Sequence, residues 1–444
     1  MRIALIAMSG IRVCDDELLR LGLTLPGFVE RSKTIASLPS LALLTLAALT
    51  SSRHDILYLE IPELAKVAKL PLEFDLVAIS SYSAQIGEAY ELASRYRQSG
   101  IPVVMGGPHV SALPHEAANF CDAVVVGEGE PVWEDVLADC ENRRLLGIYD
   151  AQSCDYDLAD APIPAFELLD ISKYNRLTVQ SSRGCPHQCE FCAGSVVLTT
   201  KYKQKPVEKV IQEIDRILEI WKHPFIEFAD DNSFVNKSYW KELLSSLKSR
   251  KIRWFAETDL SVSEDDELLE LMRQSGCAQV LIGFESPVTA GLSGLELRSD
   301  WKSRKFPLYK DAIRTIQSHG IAVNGCFVIG LDGHTPEIFD QVYDFVRAAE
   351  LYEVQVTILT AFPGTPLYQR LKQENRILEP GQWQKCTLFD VNYRPTHMNP
   401  GELADGFRNL VVRLYGDEFT AWRRNTFKQY LREHDHKKGH NHGT

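Results

Sequence analysis

Two series of short, continuously apolar runs, each followed by a stretch of helical periodicity, constrain this chain more than any other feature. The first series lies in residues 1–150: RIALIAM (2–8), DILYLEI (55–61), LVAISS (76–81), PVVMGG (102–107) and AVVVGE (123–128). Runs rich in Val, Ile and Leu without polar alternation mark strands buried on both faces, which is the parallel α/β pattern. Helical stretches such as LALLTLAALT (41–50), GEAYELASRYRQSG (87–100) and EPVWEDVLADC (130–140) separate them. The second series begins at RLTVQSS (176–182). It continues with FIEFAD (225–230), IRWFAE (252–257), QVLIGFE (279–285), AVNGCFVIG (322–330) and EVQVTIL (353–359). Six βα units fall short of the eight that close a barrel. The expected fold is therefore α/β, with an open, Rossmann-like parallel sheet of five strands (1–150) ahead of a partial TIM-like (β/α)6 barrel (176–384). A proline-marked linker (151–175) joins the two, and a small helical region (385–444) follows, its His-rich tail HDHKKGHNHGT read as disordered. Residues 11–40, long before the first full helix, read as a large loop over the carboxyl edge of the first sheet.

Composition narrows the function. A chain of 444 residues exceeds one core and implies two or three domains. Net charge is −12 and no long Lys/Arg block occurs, so a nucleic-acid partner is not expected. The longest apolar runs are too short to span a bilayer. The opening MRIALIAMSG has no small-residue cleavage site and reads as a buried strand, which places the protein in the cytoplasm. Ten cysteines are too dilute for a disulfide scaffold.

Three of those cysteines are concentrated in SSRGCPHQCEFC (181–192), directly after the first strand of the second series. That is the carboxyl edge, where α/β folds place their sites. A structural zinc site needs four ligands, and Cys154, Cys277, Cys326 or a histidine could complete one. An iron–sulfur cube held by three thiolates is the alternative, and it leaves one iron open to a further ligand.

Cys185-Pro-His-Gln-Cys189-Glu-Phe191-Cys192 resembles the CxxxCxΦC signature of radical SAM enzymes, and the six-unit partial barrel agrees with it. The resemblance, over roughly 175–385, implies a 4Fe–4S cluster on Cys185, Cys189 and Cys192. Its open iron would chelate S-adenosylmethionine (SAM), and one electron from the cluster would cleave SAM to a 5′-deoxyadenosyl radical. It also implies SAM contacts at Phe191, at Asp230, Asp231 and Asn232 ending the second strand, and at Glu285 ending the fourth, near the ribose. Gly330 of VIGLDG is implied to lie near adenine, and Pro363 and Gly364 of the PGTP turn either to contact SAM or only to shape that turn. Glu257, at the end of the third strand, is a ligand contact or a structural pair. The Asp-Asp-Asn run reads equally as a capped strand-to-helix turn.

The first series resembles the cobalamin-binding domain that precedes the barrel in one branch of that family. MGGPHVSALP (105–114), with Gly106, Gly107 and His109, and VVVGEGE (124–130), with Gly127, Glu128 and Gly129, are similar to segments that cradle the corrin and its tail. Ser80 and Ser81 would form another wall. Glycines ending a buried strand let backbone approach a flat ligand. The DxHxxG segment whose histidine ligates cobalt is absent: residues 9–40 contain no histidine, and His54, His109 and His115 are the only ones in residues 1–150. Cys14, in the long first loop, is either a neighbour of cobalt's lower face or buried filler.

Taken whole, the chain is similar to cobalamin-type radical SAM proteins related to hopanoid methylases. That resemblance implies a methyltransferase acting on an unactivated carbon of a small molecule, with an electron donor such as flavodoxin or ferredoxin. Two alternatives stand beside it: a radical SAM cyclase, dehydrogenase or rearrangement enzyme with a structural first domain, and a non-catalytic cobalamin or redox sensor. Trp383, Phe389, Tyr393 and Phe407 read as helix packing or as the wall of an apolar pocket.

Overall fold

The computed structural model describes residues 1–20, 38–194, 197 and 201–441. The first sheet holds β1 (Arg2–Met8), β2 (Asp55–Ile61), β3 (Leu76–Ser80), β4 (Val103–Gly106), β5 (Ala123–Val126) and β6 (Ile148–Asp150). Their order is β2-β1-β3-β4-β5-β6, with every neighbouring pair parallel. The order reverses between β1 and β3, the switch point where open α/β sheets leave a crevice at their carboxyl ends. The sheet has six strands where five were expected. Only Tyr149 of β6 is buried, and three residues are too short to produce a periodic signal.

In the second series, β7 (Leu177–Val179) is followed by a two-residue antiparallel ladder of β8 (Ser182–Arg183) with β9 (Lys203–Gln204). Then come β10 (Phe225–Ser233), β11 (Arg253–Thr258), β12 (Cys277–Glu285), β13 (Ala322–Ile329) and β14 (Glu353–Ile358). The main sheet runs β14-β13-β12-β11-β10-β7, all parallel, and stays open between β14 and β7 as a partial barrel. Helices such as Val207–Ile220 bury one apolar face, with Val210, Ile214 and Ile217 fully enclosed. Behind β10 and β11, Phe228, Trp240 and Trp254 meet edge to face, the arrangement that aromatic quadrupoles favour.

The stretch read as a linker is packed down, with Phe166 fully buried. At the carboxyl end, Pro400–Tyr415 starts at a capping box of Asn399 and Glu402. The next helix runs Asp417–Asn441, so helical backbone extends into the His-rich segment expected to be disordered. Arg423 of that helix is fully buried and donates to Glu353 at the start of β14 at 2.9 Å. Phe389, Tyr393 and Phe407 pack in the core, but only Phe407 does so from a helix (Pro400–Tyr415); Phe389 and Tyr393 lie in irregular chain before it. Trp383 reaches across instead: its indole N–H donates to Glu116 of the first domain at 3.0 Å. Of the expected long loop, residues 21–37 lie outside the described residues. Its start is tied to the chain's end, because Asp390 accepts from the backbone N–H groups of Cys14 at 2.9 Å and Asp15 at 3.0 Å. Among the described residues, no helix is long and apolar enough to cross a membrane.

Candidate functional site

The carboxyl ends of the two sheets share one cavity of about 340 Å³. From the first sheet it is lined by Ser80, Gly106, Gly107, Gly127, Glu128 and Gly129, with Leu41, Leu46 and Trp133 beside them. The second contributes Gln180, Arg183, Gly194, Ala229 and Asp231. Two glycines are required here by geometry. Gly107 sits at φ 101°, ψ −178°, backbone that is essentially closed to other residues. A Cβ there would stand 2.9 Å from Ser80 Oγ and 3.1 Å from the Ser81 carbonyl oxygen. Gly127 has φ 84°, and a Cβ on it would lie 3.2 Å from the Gln152 nitrogen.

Other residues expected to touch a corrin face elsewhere. Ser81 is buried and its hydroxyl donates to the Tyr82 carbonyl. His109 is also buried; one ring nitrogen meets Ser83 Oγ at 3.0 Å and the other Glu116 Oε1 at 3.1 Å, with Trp383 against its face. Glu128 lines the cavity, but its carboxylate is held by Arg183 and Lys203 at 2.9 Å each. His54 bonds the amino terminus. Among the described residues no histidine lines the cavity. Cys14 is exposed, and its thiol donates to the Gln384 carbonyl.

The three cysteines sit on a loop fixed at several points. Gly184 N–H donates to Asp231 at 2.7 Å. Cys189 bridges Glu296, flanked by bonds from Glu190 N–H to Leu295 and from Leu297 N–H to Gln188. Glu190 takes a fork from Arg370 at 2.6 and 3.1 Å. His187 lies between two carboxylates, 3.1 Å from Asp259 and 3.3 Å from Glu296, with Trp301 tilted on its ring. Burial would lower the imidazole pKa, but those two hydrogen bonds outweigh it and raise it. Burial likewise favours a neutral Asp259; its bonds to His187, Asn232 and Ser261 prevail and hold its pKa below the usual range.

Cys185, Cys189 and Cys192 are all free thiols, and Cys189 is the buried one. Burial pushes Cys185 up to about 11, opposed by the His187 backbone N–H, and it raises Cys189 as well. Cys192 acts electrostatically on both. No three His, Cys, Asp or Glu side chains among the described residues converge on a point that would hold a single metal ion. A four-iron cube takes each thiolate on a different iron, so three neighbouring thiols on one loop fit it better than they fit a one-ion site. Lys302, missed in the sequence, is buried beside them. Its ammonium donates to Glu285 at 2.8 Å and to the Gly283 carbonyl at 3.0 Å. Burial disfavours its charge, yet Glu285 and Cys189 raise its pKa.

The residues expected to meet SAM divide by strand face. β10 continues to Ser233, so Asp230 and Asp231 point to opposite sides. Asp230 is buried and fully used, accepting from the N–H groups of Ser181 and Ser182 and from the hydroxyls of Ser181 and Ser233. Asp231 opens on the cavity. Asn232 donates to Asp259 at 2.9 Å and leaves its Oδ1 buried without a donor. Glu285 is a non-glycine residue at φ 62°, a conformation that costs energy and concentrates at functional sites. Glu257, at the carboxyl end of β11, keeps open surface within a group of carboxylates. Burial, with Glu227, Asp231 and Glu285 nearby, pushes it up to about 7. Glu227 and Glu285 have cationic partners in Arg176 and Lys302. Gly330, at φ 97°, donates its N–H to His334 and accepts from Tyr393. Phe191 packs on the core. Pro363 precedes Gly364 in the turn after β14, where a Gly364 Cβ would meet Ala112 of the first domain at 3.0 Å.

This pairing of a glycine-edged open sheet with a partial barrel whose first loop carries three cysteines has counterparts among known proteins. The radical SAM superfamily matches residues 179–346, the B12 binding domain residues 36–137, and a domain of unknown function residues 365–443. The chain thus carries a radical SAM domain behind a B12 binding domain. The radical SAM domain implies a 4Fe–4S cluster with SAM, and the B12 binding domain implies cobalamin.

Among the relatives is the bacteriochlorophyllide d C-12(1)-methyltransferase of Chlorobaculum tepidum, 28% identical over 383 residues, covering 84% of this chain and 82% of that protein. The hopanoid C-2 methylase of Rhodopseudomonas palustris is 29% identical over 353 residues, covering 77% and 66%. The solved structure of the radical S-adenosylmethionine methyltransferase TsrM from Kitasatospora setae, with cobalamin and a 4Fe–4S cluster bound, shares the fold. Its TM-score is 0.66 at 16% identity, over 98% of this chain and 99% of that one.

Proposed function

We propose that the protein is a cobalamin-dependent methyltransferase acting on an unactivated carbon of a small molecule. Cys185, Cys189 and Cys192 would hold the cluster, and the cavity at the end of the first sheet would hold the corrin. The observation that carries this reading is the shared cavity: glycine-edged strand ends and the Asp231 side of the cysteine loop line the same space. When bound, the cluster with SAM supplies a carbon-centred radical, and cobalamin supplies the methyl group. The chain's own residues position, charge-match and exclude water.

Gly107 and Gly127 admit a flat ligand where any side chain would intrude. Among the described residues the cavity wall would meet the corrin with glycine backbone, apolar side chains and the Ser80 hydroxyl, with no histidine among them. Asp231 and the unpaired Asn232 Oδ1 offer acceptors beside the cysteine loop, suited to an ammonium group. Lys302 stabilises thiolate at Cys189 and holds Glu285 in its strained turn. Asp259 and Glu296 fix the loop from both sides of His187. We place the enzyme in the cytoplasm, with flavodoxin or ferredoxin as reductant.

The test is anaerobic reconstitution with iron, sulfide, methylcobalamin, SAM and dithionite. 5′-Deoxyadenosine should form, and the corrin should remain with the protein through gel filtration. Absence of 5′-deoxyadenosine overturns the cluster assignment. Formation of 5′-deoxyadenosine by a protein that retains no corrin overturns the methyl-transfer reading and favours a radical cyclisation or rearrangement.

A further inference from the structure

The stem of the cysteine loop reaches into the other sheet. β8 and β9 pair antiparallel with Arg183 opposite Lys203, so the ladder closes the segment that starts at Gly184 and carries the three cysteines. Both cations of this ladder grip one turn of the first domain. Arg183 Nη1 donates to Glu128 Oε1 at 2.9 Å, Nη2 to Glu130 Oε1 at 2.6 Å, and Nε to Gln180 Oε1 at 2.8 Å. Lys203 Nζ donates to the other Glu128 oxygen at 2.9 Å. Glu128 and Glu130 alternate with Gly127 and Gly129, the glycines of the shared cavity.

The joint is enclosed: the side chains keep 16% of their surface at Arg183, 15% at Lys203, 13% at Glu128 and 7% at Glu130. Exposed ion pairs contribute little, but charges this far out of water require their partners, and a planar guanidinium forked across two carboxylates fixes direction as well as distance. Arg183 lies two residues before Cys185 and also lines the cavity. A shift of the Gly-Glu-Gly-Glu turn to accommodate a ligand therefore pulls on the base of the cysteine loop.

We propose that Arg183 is a positioning residue that couples the two cofactor sites, so that a corrin in the cavity changes the affinity of the cysteine loop for SAM, and the reverse by the same factor. The inference rests on the assignment of the cavity and loop under the proposed function. The experiment uses cluster-reconstituted full-length protein and measures binding of labelled SAM by equilibrium dialysis, with and without hydroxocobalamin. In the wild-type chain the two SAM affinities should differ by about fivefold or more, within the usual range of coupling between sites.

Arg183→Gln should bring that ratio close to one, and Arg183→Lys, which cannot fork, should leave it between the two. Glu130→Gln breaks the joint from the first domain's side and should lower the ratio as Arg183→Gln does. A wild-type ratio of one in a chain that binds both ligands overturns the coupling. So does an unchanged ratio in Arg183→Gln or Glu130→Gln. A wild-type chain that binds no hydroxocobalamin overturns the cavity assignment, and the coupling falls with it.

Discussion

The two sheets use the same parallel alternation and present opposite interiors at their carboxyl ends. The first ends in glycines and serines around a largely apolar cavity, with its carboxylates Glu128 and Glu130 neutralised by cations from the second. The second ends in carboxylates: Asp231, Glu257 and Glu285, with one lysine among them. An edge without side chains admits a broad, nearly neutral ring system. An edge of acids favours a compact cation, which SAM is. Topology supplies the platform, and the terminal residue of each strand decides the ligand.

The largest test of this contrast is Cys189→Ala, which should abolish 5′-deoxyadenosine formation while the first domain still retains corrin. Cys154→Ala, outside the loop, should leave both unchanged. Next is the buried ion pair. Lys302→Met strands Glu285 without a cation and should cost about 3–5 kcal/mol in denaturant unfolding. Adding Glu285→Gln should recover most of that loss.

Third is the glycine edge. Gly107→Ala forces a conformation that costs about 1–3 kcal/mol, and it should weaken hydroxocobalamin binding while SAM cleavage persists. Gly87→Ala, where a Cβ meets nothing within 4 Å, is its silent counterpart.

The smallest effect is a pH slope. Glu257 keeps its proton in the folded protein up to about 7, against an ordinary value of 4.5. The folded state therefore binds more protons than the unfolded chain across that window, and stability falls as pH rises through it. Glu257→Gln should flatten the fall, read as melting temperature against pH. An identical slope in both proteins would show that Glu257 has cationic company, and the contrast between the edges would weaken.

Much of this architecture was legible in the residues. The apolar runs marked eleven strands because most of these strands are buried along their length; β6, β8 and β9 escaped because two or three residues are too short to produce a periodic signal. The three cysteines stood out because their ligation is local in sequence. What failed was the reading of contiguous residues as a unit. Asp230 and Asp231 share a strand, and alternation sends one into a nest of serine donors and the other into the cavity. Ser80 and Ser81 divide in the same way. Arg183, Lys203, Lys302 and Trp383 carry no local pattern, since each finds its partner far away along the chain or in a stretch without periodicity. His109 is buried against Ser83, Glu116 and Trp383, neighbours that come together only in the folded chain.

The seat of Trp383 on Glu116, with the grip of Asp390 on Cys14 and Asp15, also bears on the order of synthesis. The first sheet has all its strands once residue 150 has left the ribosome, yet the Cys14 and Asp15 N–H groups on its opening loop find their acceptor only after residue 390 emerges. Glu116, already holding Tyr90 and His109, gains the Trp383 indole only then. The amino-terminal domain therefore forms first and is completed last. A chimera that exchanges it between relatives must carry the 383–390 segment along, or it will leave these groups to water.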